Sequence, residues 1–501
     1  MEVFANLALG LQTATGLENL LYCLIGVVLG TAVGVLPGLG PVTTIAMLLP
    51  LTFGLPPVAA LIMLAGIYYG AQYGGSTTAI LVNMPGEASS VVTALDGYQM
   101  ARQGRAGRAL AIAAIGSFFA GTMATLVIAL FAPPLAEVAL TFGPAEYFSL
   151  MVLGLVAAIV LAHGPLLHAF GMILIGLLLG ISGTDVNSGA VRYTLGVPEL
   201  VDGIGFVALA MGLFGVGEII ANLEQGFERQ VSVGTIERLM PTRQDCMRII
   251  GPILRGTALG SLLGVLPGGG ALLAAFGAYT LEKRLSKRPD EFGRGAVEGV
   301  AAPEAANNAG AQTSFIPMLT LGIPSNPTMA LMVGAMIIQG IQPGPSVMRE
   351  QATLFWGLIV SMWIGNLMLL ILNLPLIRIW VMMIRFPYHF LYPTIILFCA
   401  IGVFSLNNTN FDVYLLALFG LLGYIFRKLD AEPAPLLLAF VLGPMMEEFL
   451  RRALLISRGD PLVLISRPVS AAMLIIAACL VLIVVTPALR RTREKAFQEE
   501  H

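Results

Sequence analysis

Long apolar stretches alternate with short polar ones along the chain, and several of the apolar stretches are broken near their middle by proline and glycine. Residues 20–50 are uncharged and break at Pro37-Gly38, which predicts a re-entrant hairpin with PGLG at its tip, closed by the uncharged turn 51–57. Residues 58–82 form a second apolar segment that runs into Asn83-Met84-Pro85-Gly86-Glu87, followed by the polar stretch 96–108. Spans are expected at 109–132, 145–162, 165–182 and 204–223, then a hydrophilic connection at 224–248. Beyond it come the apolar 249–281, a basic loop at 282–294 and a broken segment at 310–339. Further spans are expected at 353–372, 388–406, 411–426, 435–449 and 469–489, before a basic tail. At the N-terminus, Phe4, Leu7 and Leu11 recur at helical spacing, which fits either a short interfacial helix or a frayed end.

Two of these stretches are nearly the same sequence. VGVLPGLG at 33–40 returns as LGVLPGGG at 263–270, and Gly26, Gly30 and Gly34 fall on Gly256, Gly260 and Gly264 in the same register, 230 positions on. The break at 83–87 corresponds to Gly322-Ile323-Pro324-Ser325-Asn326 with an offset of 239, the difference absorbed by the charged insertion around 283–294. The expected division is therefore repeat one at 1–135, connecting spans and linker at 136–248, repeat two at 249–345, and C-terminal spans at 346–501.

Composition fixes the class. The chain is 57% hydrophobic and 11% charged, against roughly 25% charged in soluble proteins, so the expectation is an all-α polytopic membrane protein with about ten to twelve transmembrane helices. A net charge of −2 gives no reason to expect nucleic acid. Cys23, Cys246, Cys399 and Cys479 lack metal-type spacing and are expected as free thiols, and no basic n-region suggests a cleaved signal. Arginines place 96–108, 224–248, 282–294 and 490–495 on the cytoplasmic side, whereas 51–57 and 340–352 carry almost no positive charge. Hairpin one then opens outward and hairpin two inward, which makes the repeats inverted. Arg451, Arg452, Arg458 and Arg467 conflict with this count.

Irregular backbone at membrane depth persists only where it is buried in protein or lines a wet cavity. Pro-Gly at a hairpin tip exposes N–H groups at the start of the next half-helix, a partially positive end that attracts anions. Candidate substrate-binding residues cluster beside the breaks: Pro37, Gly38, Gly40 and Thr43; Ser76, Thr77, Asn83, Pro85 and Gly86; Gly268, Gly269 and Gly270; Asn307, Asn308 and Gln312; Pro324, Ser325 and Asn326. A sodium ion is expected to use oxygens from Thr44, Asn83, Asn308, Thr313 and Ser314. Small residues also serve ordinary helix packing, the plainer reading for isolated positions such as Ser117 or Gly171. Glu87, Glu298 and Glu304 are acids in or near the broken segments, where ion or proton handling is the default role. His163 and His168 are five residues apart and suit interfacial packing. With no HExxH, GxSxG or phosphate-loop motif, an enzyme is not expected, although an intramembrane enzyme using Glu304 or Glu87 is the alternative class.

VGVLPGLGPVTT, YGGSTTAILVNMPGE, AAPEAANNAGAQTSFIPMLTLGIPSNPT and GPMMEEFLRRALLISRGD occur in an order that resembles the large membrane subunit of tripartite tricarboxylate transporters, the TctA family. The resemblance implies a multi-pass protein of the bacterial inner membrane that imports a citrate-like di- or tricarboxylate as a secondary transporter. Sodium is the implied coupling ion, with proton coupling through Glu304 as the alternative. It also implies a small four-helix membrane subunit and a periplasmic solute-binding protein as partners, and an elevator-type plan of two hairpins and two broken helices. Ser325-Asn326 departs from the glycine expected after Pro324 by analogy with NMPGE.

Overall fold

A computed structural model describes residues 2–36, 38–162, 164–185, 187–224, 239–266, 270–384 and 388–485. The fold is 80% helical. Among the described residues one two-stranded hairpin, Gly183–Thr184 against Val191–Arg192, is the only sheet. Among the described residues six helices are long and apolar enough to cross a bilayer: Leu17–Gly34, Ala88–Ala139, Phe206–Glu224, Arg243–Leu263, Ala352–Asn373 and Asn410–Lys428. Shorter apolar helices of 10–17 residues, among them Pro144–Val160, Leu166–Gly180, Tyr392–Asn407 and Pro468–Leu482, fall at further expected spans.

The first repeat contains α1 (Leu17–Gly34), α2 (Pro41–Leu48), α3 (Pro57–Val82), α4 (Ala88–Met100) and α5 (Ala106–Ala139). The second contains α6 (Arg243–Leu263), α7 (Gly270–Leu285), α8 (Glu298–Thr313), α9 (Phe315–Leu321) and α10 (Pro327–Ile338). Helix α1 ends at Gly34 and α2 starts at Pro41, and α6 ends at Leu263 and α7 starts at Gly270. A Cβ on Gly26, Gly30 or Gly34 would strike the backbone of Met63, Ile67 or Ala71, and one on Gly256, Gly260 or Gly264 that of Ala302, Ala306 or Gly310. Each of these pairs maps onto its counterpart with the offsets of 230 and 239 read from the sequence. Glycine every fourth residue lets two backbones approach closely, and this contact seats each hairpin arm on a core helix.

Those core helices are buried along nearly their whole length, Ala59 to Leu81 in α3 and Gly299 to Thr313 in α8. They lie antiparallel to each other: Gln72 meets Asn307 and Ser76 meets Glu304, so one number rises as the other falls. Both broken helices end on a left-handed residue, Asn83 at φ 55° after α3 and Gly322 at φ 72° after α9. The residue after each break, Glu87 or Asn326, is the N-cap of the following helix. The polar stretch 96–108 differs from expectation: it continues as helix, with a π turn and a bend at Gly104, φ 76°, because glycine absorbs the left-handed conformation without a steric cost.

Basic segments gather at one end. Arg108 pairs with Asp245 at 3.8 Å, Arg248 with Glu291 at 2.5 Å and Glu298 at 2.7 Å, and Gln103 donates to the Arg294 carbonyl. The charge-poor segments meet elsewhere, where Gln339 donates to the Thr52 carbonyl at 2.9 Å. Of the arginines that conflicted with the charge count, Arg451 holds Asp185 at 3.0 Å and Glu447 at 2.6 Å, Arg452 pairs with Glu448, and Arg467 reaches Glu146 at 3.4 Å. These side chains clamp the small hairpin and neighbouring helices together.

Candidate functional site

A cavity of about 260 Å³ opens between the two repeats. It is lined by the first residues of four helices: Gly40, Pro41 and Val42 at α2; Gly86, Glu87, Ala88 and Ser89 at α4; Gly270, Ala271 and Leu272 at α7; and Asn326, Pro327 and Thr328 at α10. Each repeat thus supplies the start of one hairpin arm and the start of one post-break helix. Tyr68 and Gln72 of α3 and Ala158 and Ala162 lie along the wall, with Glu432, Ala434, Pro435 and Leu438 near the start of α12 (Ala434–Ile456). Among the described residues no lysine or arginine lines the cavity. The first-turn N–H groups of the helices, each end equivalent to about half a positive charge, face the same space as the carboxyl groups of Glu87 and Glu432.

Close backbone contacts set the shape. A Cβ at Gly40 would collide with the Gly86 carbonyl, and one at Gly86 would lie 2.7 Å from the Gly75 Cα. The first tip therefore rests directly on the first break. In the second repeat the counterparts of Gly75 and Gly86 are Ser314 and Ser325, and the Ser325 hydroxyl donates to the Ser314 carbonyl at 3.3 Å. The serine that departed from the expected glycine thus replaces a backbone contact by a hydrogen bond. Asn326 caps α10 by accepting from the Met329 N–H at 2.9 Å. Its counterpart Glu87 accepts from Asn307 at 2.7 Å, and Asn307 also donates to Gln72 at 3.2 Å.

The predicted residues divide among several places. Gly40, Gly86, Gly270 and Asn326 line the cavity, Asn307 braces its wall, and Pro85 and Pro324 form the breaks. Thr43 and Gln312 are buried, and the Gln312 Oε1 has no partner among the described residues. Gly38, at φ 82°, lies beside Asn222. Asn83 is an exposed helix cap. Pro37, Gly268 and Gly269, like His163, fall outside the described residues. Of the oxygens expected around sodium, Thr44, Thr313 and Ser314 donate to carbonyls of their own helices, at Gly40, Ala309 and Ala311. Ser76, Thr77 and Asn308 belong to a second polar cluster around Glu304. Tyr68 and Gln72 were missed, although Tyr68, Gln72 and Ser76 recur every fourth residue along an apolar helix, a polar stripe the sequence did display.

Residues 20–438 match the Tripartite tricarboxylate transporter TctA family. The chain belongs to this family. It is 59% identical over 500 residues to the "Uncharacterized 52.8 kDa protein in TAR-I ttuC' 3'region" of Agrobacterium vitis, with both chains covered in full. It is also 58% identical over 241 residues to the "Uncharacterized protein in TAR-II ttuC' 3'region" of the same organism, covering 48% of this chain and all of that one. No solved structure matches this chain. As a TctA-family chain it is a multi-pass helical membrane subunit of a tripartite tricarboxylate transporter.

Proposed function

We propose that the chain is the carrier subunit of a secondary active importer, that the cavity between the repeats binds a small di- or tricarboxylate, and that sodium drives uptake. The observation that carries this reading is the convergence of four helix N-termini on one cavity without a basic side chain. Helix ends and co-bound cations are the sources of positive potential that such a site offers a multiply charged anion. A cavity of about 260 Å³ suits a small metabolite, being below the roughly 300–1,000 Å³ of drug-sized sites. A small four-helix membrane subunit and a periplasmic binding protein at the bacterial inner membrane complete the system we envisage.

The inverted, elevator-type arrangement belongs to the same proposal. Three observations support it: each hairpin arm runs parallel to its own core helix, the core helices run antiparallel, and the basic and charge-poor segments gather separately. Hairpin one then opens toward the charge-poor end and hairpin two toward the basic end.

Titrating the purified full chain with di- and tricarboxylates, in sodium or in choline buffer, tests the function through the melting temperature. At least one carboxylate is expected to raise Tm, more strongly in sodium. Ala88→Trp, which projects an indole into the cavity, is expected to abolish that response while leaving Tm without ligand nearly unchanged. Carboxylate binding that survives Ala88→Trp unaltered places the anion elsewhere.

A further inference from the structure

Glu304 is 1% exposed, lies midway along α8, and has no lysine, arginine or histidine within salt-bridge distance among the described residues. Neutral donors surround its carboxylate instead. Ser76, Ser117 and Asn308 donate to Oε1 at 2.8, 3.0 and 3.1 Å, and Thr93 donates to Oε2 at 3.0 Å. Asn308 can only donate through its N–H, and the three hydroxyls can each donate to an ionised carboxylate, so the charged form is fully hydrogen-bonded here. Neutral hydrogen bonds stabilise the charge locally but do not cancel it, and a buried charge without a counter-charge is strongly disfavoured.

A chamber of about 10 Å³ adjoins this carboxylate, room for one water-sized particle. Tyr73, Ser76, Thr77, Ser117, Glu304 and Asn373 form its polar lining. Asn373, the last residue of α11 (Ala352–Asn373), is 4% exposed and spends its amide N–H on the Leu369 carbonyl, which leaves Oδ1 without a partner among the described residues. Thr77 likewise spends its hydroxyl proton on the Tyr73 carbonyl, leaving its lone pairs available. An orphaned amide oxygen, a carboxylate and hydroxyl oxygens around so small a space share one need, a positive centre. Hard monovalent cations take such oxygen sets, and carboxylate, carbonyl and hydroxyl ligands do not favour softer metals.

We infer that the Glu304 chamber binds one dehydrated sodium ion, using Glu304 and Asn373 with oxygens of Ser76, Thr77 and Ser117. This deepens the sodium coupling proposed above, and rests on that reading only for the link to transport. The two sites adjoin through consecutive side chains: Asn307 donates to Glu87 at the cavity, and Asn308 donates to Glu304. On α3, Gln72 belongs to the cavity and Ser76, one turn later, to the chamber.

The test uses the purified full chain without carboxylate, its Tm followed as sodium chloride replaces choline chloride at constant ionic strength. Sodium is expected to raise Tm saturably, with no matching response to pH between 6 and 8. Glu304→Gln should remove the response. Asn373→Leu, which deletes the unpartnered oxygen together with an amide N–H bonded to the Leu369 carbonyl of its own helix, should weaken apparent sodium affinity on the order of ten-fold or more, with Tm in choline alone reporting any loss of fold. The proposal is overturned if sodium and choline curves coincide, if Asn373→Leu keeps wild-type sodium affinity, or if stabilisation follows pH and not sodium. Because the cavity is left out of this titration, Ala88→Trp should retain the sodium response in full. A lost carboxylate reading and a lost sodium site thus give different results.

Discussion

Glu87 places a carboxyl group at the start of α4 on a cavity that four helix N-termini and Glu432 also line, whereas its counterpart in the second repeat is the neutral Asn326. Two unit charges about 5 Å apart at an effective dielectric near 20 repel by roughly 3 kcal/mol, enough to change affinity by about two orders of magnitude. Glu87→Gln keeps an oxygen for Asn307 and removes the charge, so carboxylate affinity measured in choline buffer should rise. No gain there means that Glu87 does not face the bound anion. Asp185 gives a second residue-level expectation, outside the spans. Hydrogen bonds from Ser188 and the Asn187 N–H, helped by Arg451 and Arg192, hold its carboxyl down at about 2. A depressed value stabilises the fold above the ordinary carboxylate pKa near 3.9, and that contribution disappears as pH falls through about 2. Protection of the amides across 183–192, relative to their intrinsic exchange rate, should therefore be high at pH 5 and fall toward pH 2, and Asp185→Asn should show low protection already at pH 5.

At the level of elements, the glycine faces of α1 and α6 are the feature on which both hairpins depend. Gly30 meets the Ile67 backbone and Gly260 the Ala306 backbone so closely that a Cβ forces the helices apart. Overpacking of this kind costs about 1–3 kcal/mol, so in a chain of 501 residues Gly30→Val and Gly260→Val should each lower Tm by about 1–3 °C, while Gly171→Val, with nothing within 4 Å, should not. Equal Tm values for the three variants count against the packing account. This part of the fold was legible in the sequence because the glycines, the Pro-Gly tips and the breaks at 83–87 and 322–326 are local signals repeated at fixed offsets. The Glu304 chamber was only half legible. Its acid was conspicuous in an apolar segment, but Ser76, Thr93, Ser117 and Asn373 come from four other helices, and Ser117 in isolation read as a packing residue. Contacts between residues more than 180 positions apart leave no periodic trace, and the helical continuation through Gly104 was hidden by the polarity of 96–108.

For the molecule as a whole, the proposal to be tested is that the same unit is used in two directions. Gly54 lies in the exposed charge-poor turn after hairpin one, and Lys287 is exposed in the basic loop after hairpin two. If the antiparallel core helices α3 and α8 reflect inversion across the bilayer, these equivalent loops lie on opposite sides, and neither hairpin crosses completely. Cysteines at Gly54 and Lys287, in a chain whose exposed Cys479 and half-buried Cys246 are replaced, should then react with an impermeant thiol reagent from opposite faces of oriented membranes. Labelling of both from one face rules out inversion. The expected result has a further consequence for Asn307 and Asn308, which lie on a core helix of one repeat and bond to the cavity and chamber residues of the other. Under the proposed function, movement of one hairpin against the other would change both sites together, and whatever factor sodium applies to carboxylate affinity, carboxylate would apply to sodium affinity.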